Sequence, residues 1–298
     1  MFSPKFAKFG LAFGAACLSI VMATMALTSS VDAQSKKSRY GLGLPKSGTA
    51  SGAVRDAGAG THSILTLLAP EDGARTLSPR PTFYWYIPPS YSEDKDTVDF
   101  FLRENPSLEA KSIFKGRATS ASSGLYKLVL PASAPSLVVG KTQRWQLRWQ
   151  SHTGSNPVNL NANIILENPS PEVAKELSAA KTDLAKARIY NKSGYWYDAL
   201  DAYCRWIEAN PKDADEARKE RQAMLAEVFN EDYSPIAIAR ESAEKKAELA
   251  KVPAANASVL AEAESYRQKL LEVRTAISKF LIQVDAAPAI LQTLKPLS

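Results

Sequence analysis

The sequence predicts a segregated α+β chain: an N-terminal antiparallel β-sandwich, then an all-α helical-hairpin region, then a long C-terminal helix. Three observations predict it. Between residues 62 and 168 apolar side chains recur with a period of two. From Pro171 onward they recur every three or four residues. The stretch Gly194 to Pro211 reads as a tight turn, a second helix and a stop. At 298 residues, 45% hydrophobic and 23% charged, the chain has the composition of an ordinary folded protein able to bury a core.

Residues 1–33 read as an export signal. Lys5 and Lys8 form a positive start, Phe9 to Leu27 is uncharged and mostly apolar, and Val31 and Ala33 place small residues where a signal peptidase cuts. Cleavage near Ala33 leaves a periplasmic, cell-envelope or extracellular protein. The competing expectation is a retained anchor, because the apolar run is about long enough to span a bilayer. The membrane is then touched only through the uncleaved signal. Cys17 lies in this segment, so the mature chain keeps a single thiol, Cys204, on an apolar helix face, and relies on its core and not on disulfides.

Residues 34–61 contain six glycines and almost no large apolar side chain, the composition of a flexible basic linker. The net charge of +6 is concentrated there: five basic residues stand against Asp56 alone. Residues 62–168 hold eleven basic and nine acidic residues, so the β region lacks the basic excess of a nucleic-acid binder.

The β-domain, residues 62–168, starts with an apolar strand from Ile64 to Ala69 that stops at the turn signal Pro70 to Gly73. Phe83, Trp85 and Ile87 then alternate with Tyr84 and Tyr86, giving a strand with two aromatic faces. Val98, Phe100 and Leu102 form a third strand, Ile113 and Phe114 mark a short fourth, and Tyr126, Leu128 and Leu130 a fifth. Trp145, Leu147 and Trp149 alternate strictly with Arg144, Gln146 and Arg148, and a seventh strand runs from Val158 to Leu166. About seven short strands fit a two-sheet sandwich, and the Trp-bearing strands resemble those of fibronectin-III-like or immunoglobulin-like domains. Trp85, Trp145 and Trp149 are expected between the sheets; the competing use of such aromatics is a sugar-stacking platform.

Residues 169–230 are read as three helices. Ser170 is an N-cap with Pro171 at the first helical position, and one apolar face runs from Val173 through Leu177 and Leu184 to Ala187. A break at Asn191 to Gly194 precedes the second helix; the third runs from Asp213 to Phe229 with Ala217, Met224, Leu225 and Val228 on one face. Ala187, Gly194, Trp196, Ala199, Tyr203 and Pro211 stand at the spacing of a tetratricopeptide repeat, which the hairpin resembles. Trp206 departs from that pattern, standing where such repeats carry Ala. Only one such unit is evident, so a hairpin is expected and not a solenoid.

Residues 231–298 are read as a helical tail. Ile236 to Ala250 is charged and Ala-rich, and Val259, Ala263, Tyr266, Leu270, Val273, Ile277, Phe280 and Val284 follow a heptad seam. That seam implies either self-association through residues 258–284 or packing back on the chain.

The order of motifs is informative. Gly43-Leu44-Pro45 is followed by Leu68-Ala69-Pro70, then Pro81 to Pro88, then Leu130-Pro131, Val139 to Thr142 and Trp145, and last Gly194 to Leu200 with Asn210-Pro211. This combination, over roughly residues 40–230, resembles the cyanobacterial family called domain of unknown function 928. The resemblance implies the β-then-hairpin architecture and an exported cyanobacterial location, and no reaction. Residues 231–298 depart from it, as do an Arg after the last strand and a Cys late in the β-domain that are not evident here.

No catalytic, cofactor-binding or metal-binding residue emerges. His62 and His152 have no Cys, Asp or Glu at ligand spacing. Val139-Gly140-Lys141-Thr142 lacks the upstream Gly of a phosphate loop and precedes a strand, so it reads as a turn. The expected function is a non-enzymatic exported cell-envelope protein that mediates protein–protein interaction, with an envelope protein as partner. The alternatives are a carbohydrate- or peptidoglycan-binding module and, remotely, a hydrolase built on two converging carboxylates. Tyr84, Tyr86, Trp196 and Trp206 are the candidate interaction surface.

Overall fold

The computed structural model describes residues 39–44, 65–70, 72–88, 96–107, 109–120, 122–151, 157–231, 280–286 and 288–297, all within one compact unit, Lys37–Ser298. The export signal, both histidines, residues 236–250 and residues 258–279 lie outside the described residues.

The strands are β1 (Thr66–Leu67), β2 (Ala74–Thr76), β3 (Thr82–Ile87), β4 (Asp96–Arg103), β5 (Ser112–Ser120), β6 (Gly124–Val129), β7 (Thr142–Gln150), β8 (Val158–Leu166), β9 (Ile290–Leu291) and β10 (Lys295–Pro296). The helices are α1 (Pro171–Ala179), α2 (Asp183–Ser193), α3 (Trp196–Ala209) and α4 (Asp215–Glu231). One sheet has the order β1-β3-β6-β9 and the other β10-β5-β4-β7-β8-β2. The sheets meet face to face: the Phe83 ring of β3 lies 5.1 Å from Phe100 of β4 and 4.7 Å from Trp145 of β7. Trp85, Trp145 and Trp149 are buried as alternation requires, and Trp85 stacks on its cross-strand partner Tyr126.

The four-stranded sheet is covered on its other face as well. Tyr84 of β3 donates to Asp201 of α3 at 2.9 Å. Tyr86 donates to Gln283 at 3.0 Å and meets the Phe280 ring edge-on, both in the helical stretch 280–286. Sheet, sheet and helices therefore share one core.

Several local expectations meet their structural counterparts. The Ser170 hydroxyl accepts from Val173 N and caps α1 with Pro171 behind it. Gly194 ends α2 in the left-handed region, φ 77°; a Cβ there would stand 2.7 Å from Arg39 O, so only Gly fits. Cys204 is buried, and burial pushes its thiol pKa up.

Four expectations are corrected. The single long helix from Pro171 is two helices: Ala180 turns extended, and Thr182 accepts from Ala185 N to start α2. A local cap outcompetes helix continuation, and α1 buries no residue that would hold it in line. The short strand at Ile113 is nine residues long. Its inward positions carry Gly116 and Ala118 opposite Phe100 and Val98, so small residues hide the apolar alternation. Residues 39–44 of the linker are docked: Tyr40 is fully buried, donates to Asn191 and meets Trp196 edge-on at 5.0 Å. The C-terminal residues are not all helical, since β9 pairs parallel to β6 and β10 antiparallel to β5, capping both sheets.

The end of the heptad seam also finds partners within this chain. Val284 is fully buried, and Phe280 packs against Phe229 of α4.

Candidate functional site

Three of the four aromatics predicted to form a surface lie inside the protein. Tyr84 is 1% exposed, Tyr86 3% and Trp196 0%; Trp206 is half-buried. Each of the three is held by a different element. Tyr84 lies under α3, Tyr86 under residues 280–286, and Trp196 donates through Nε1 to Leu68 O at 2.8 Å. Tyr84 and Tyr86 share a face of β3, but none of the three forms a surface, because helices cover the side of β3 that the sequence leaves open.

A different set of residues converges. α3 is mostly buried, yet Asp198, Asp201, Arg205 and Glu208 recur along it at steps of three, four and three. Asp198, Asp201 and Arg205 of this stripe face the ends of β3 and β6 and, with them, line an open cleft of about 340 Å³. Thr76 at the end of β2, Ser78 and Arg80 from the β2–β3 connection, Thr82 at the start of β3, and Lys127 and Val129 from β6 are also part of its lining. Tyr197, one residue before Asp198, turns inward and accepts from Trp145 Nε1 at 2.8 Å, so the helix start is fixed to the core behind the cleft.

The charged groups are held in place by specific partners. Asp198 Oδ2 accepts from Leu77 N at 2.9 Å, and the Thr76 hydroxyl also donates to it. Burial raises the Asp198 pKa to about 6 against the pull of those two donors. Asp201 takes the Tyr84 hydroxyl on one oxygen and Arg205 on the other. Burial, then Cys204 and Asp201, push the Tyr84 phenol well above its ordinary pKa, so it stays a donor. Arg205 also reaches Asp183 at 3.2 Å, and Lys127 pairs with Glu208 at 2.6 Å. Arg80 Nη1 donates to Pro131 O at 2.5 Å and Ala134 O at 2.8 Å. The result is a pre-ordered wall of two carboxylates and three cations beside the half-exposed apolar Val129.

The Asp198 shift has a measurable sign. A carboxyl whose folded pKa lies above its unfolded value binds more protons when folded. Its contribution to stability is full below about pH 4 and is lost as pH rises through about 6. A shift from 3.8 to about 6 corresponds to about 3 kcal/mol. Asp198→Asn is therefore expected to gain on the wild type as pH rises from 4 to 7 in urea unfolding. A stability difference constant across that window would contradict a buried, proton-holding carboxyl.

The sequence pattern alone singles out none of Asp198, Arg80, Lys127, Asp201 or Arg205 as a site. The signal was present: a charged stripe at helical spacing on an otherwise apolar helix asks for a polar neighbour. Among the described residues no group of three or more His, Cys, Asp or Glu is placed to hold a metal ion, and no helix is long and apolar enough to cross a membrane.

No curated protein matches this chain. The family described as Domain of Unknown Function (DUF928) matches residues 50–237. That span takes in β1 through β8, all of α1 to α4 and the cleft, and leaves outside it Arg39–Leu44 and the residues that form β9 and β10. On that match, which covers more than half of its length, the chain belongs to the DUF928 family.

Proposed function

We propose that this is an exported, non-enzymatic cell-envelope protein of cyanobacterial type that mediates protein–protein interaction, and that it takes a polar segment of an envelope partner into the cleft between α3 and the β3–β6 edge. The observation that carries the reading is the cleft wall, where Asp198, Asp201, Arg205, Arg80 and Lys127 are each fixed before any ligand arrives. Pre-ordered charge lowers the entropy lost on binding and selects a partner of matching sign pattern. The apolar run and small-residue site of residues 1–33 support export. We read the two sheets as a fibronectin-III-like or immunoglobulin-like sandwich, α2 with α3 as a single tetratricopeptide-like hairpin, and the C-terminal helix as a long element that ends on the β-domain.

Affinity capture from envelope extract tests this. The full mature chain is expected to retain a defined protein that Arg80→Glu and Val129→Asp both release. Equal retention by both variants would move the partner elsewhere, and no retention above a bead control would overturn the reading. A sugar-stacking module built on Tyr84 and Tyr86 loses its platform, since both rings are interior.

A hydrolase is the second reading, favoured because Asp198 and Asp201 line one cleft and Asp198 exchanges its proton near pH 6. Turnover of glycan or peptidoglycan substrates that disappears in Asp198→Asn would establish it; no turnover above buffer would remove it.

A further inference from the structure

The outer face of the six-stranded sheet carries an excess of positive charge that the cleft does not use. Strand register brings Arg103 of β4 opposite Arg144 of β7, and Arg148 opposite Asp99. These guanidiniums are seated by neutral oxygens. Arg103 donates to Gln146 Oε1 at 2.8 Å and to Ala110 O at 2.8 Å. Arg148 Nε donates to Asn159 Oδ1 at 3.1 Å, and Arg144 Nε to Asn163 Oδ1 at 3.4 Å. Asp99, which faces Arg148 across the β4–β7 pair, is taken at both oxygens by Arg117 of β5, at 2.6 and 2.8 Å. Among the described residues no carboxylate forms an ion pair with Arg103, Arg144 or Arg148.

This arrangement is costly for a surface with no ligand. Arg144 is only 7% exposed, its Nη1 is buried without a partner, and burial together with neighbouring Arg103 lowers its pKa. Amide sockets orient a guanidinium without neutralising it, which leaves the charge for something else. The face is closed over Arg144 but opens toward β5, where Lys115 and Arg117 are exposed. Between the two lies Phe101, whose ring has the Arg103 and Arg148 guanidiniums at 5.8 and 5.6 Å.

Spacing and chemistry narrow the ligand. Arg103 stands four residues along β4 from Asp99, the position that Arg148 faces, about 13 Å by strand rise, and Lys115 and Arg117 lie on neighbouring β5. A single small anion cannot bridge these positions; a chain with repeated anionic groups can. Single-stranded nucleic acid is matched poorly, because base stacking needs open aromatic faces and Phe101 is already flanked by guanidiniums. Half-buried Asn159 accepts from Gln146 and Arg148 through Oδ1, which leaves its amide N–H groups to donate to a hydroxyl group. We infer that the Arg103–Arg148 face of the six-stranded sheet binds an acidic polysaccharide through its repeated carboxylate or sulfate groups. This site is separate from the cleft and does not depend on its partner.

Binding of the full mature chain to polygalacturonate, dextran sulfate, neutral dextran and oligothymidylate tests the inference. At least one acidic polysaccharide is expected to bind, neutral dextran is not, and affinity is expected to fall steeply with added salt. Arg103→Gln and Arg148→Gln are each expected to weaken binding about fivefold with little change in the thermal melt. Lys175→Gln on exposed α1, an equal change in net charge, should leave affinity unchanged. Polygalacturonate against dextran sulfate separates carboxylate from sulfate recognition. Three results would each overturn the inference: no binding to either polyanion, equal loss in Lys175→Gln, or tighter binding to oligothymidylate.

Discussion

Trp196→Ala is expected to remove a large part of the protein's stability. The indole is fully buried and joins three separate pieces of chain. Its Nε1 donates to Leu68 O beside β1, its ring meets Tyr40 edge-on, and its own backbone begins α3. Truncating a buried Trp costs about 3–5 kcal/mol, and the orphaned Leu68 carbonyl adds about 1–3 kcal/mol. Against a typical total of about 5–15 kcal/mol, that is about a quarter or more. Calorimetry is expected to show a melting temperature lower by about 10 °C or more, and Trp196→Phe a smaller drop because it keeps one aromatic ring in the site while losing the donor and part of the indole volume. A melting temperature within experimental error of the wild type would mean that the arm, β1 and α3 are held together by something else.

Asp285→Ala is the second large effect. The Arg221 side chain of α4 is 4% exposed, with Nη2 at 2.5 Å from Asp285 Oδ1 and Nη1 at 3.3 Å from Cys204 Sγ. Arg218 also donates to the Asp285 carbonyl. Removing the carboxylate leaves a buried guanidinium without its anion, a loss of about 3–5 kcal/mol. Replacing both partners by apolar residues, Arg221→Met with Asp285→Leu, is expected to recover most of that loss, because neither charge then has to be desolvated. Urea unfolding of Arg221→Met, Asp285→Leu and the double variant closes the cycle. Additive losses would show that the pair does not interact across the α4–C-terminal contact.

Much of this fold could be read from side-chain periodicity, because periodicity records which face of an element is buried. β3, β4, β6, β7 and β8 each carry alternating large apolar residues and were placed correctly, as were Ser170, Gly194 and the apolar face of α4. What stayed hidden had no period to show. β2, β9 and β10 are two or three residues long, and their existence is decided by distant partners. β5 hides behind Gly116 and Ala118. The candidate site was misplaced for a related reason. Alternation reveals that Tyr84 and Tyr86 share a face of β3, but only tertiary packing decides that α3 and residues 280–286 cover it. The charged stripe on α3 was legible as a stripe, while its conversion into a cleft needed the ends of β3 and β6.

The closing of both sheets by the C-terminal residues also has a kinetic side. Tyr126 finds its strand partner in Ile290, and Arg117 finds its own in Lys295. Pairings so distant in sequence form slowly, because the loop-closure entropy is lost before the contact returns anything. During that interval the outer edges of β5 and β6 present unpaired backbone to any other extended chain. The residues of β9 and β10 that pair with both sheets are thus the ones whose late arrival sets how long those edges stay open to misassociation.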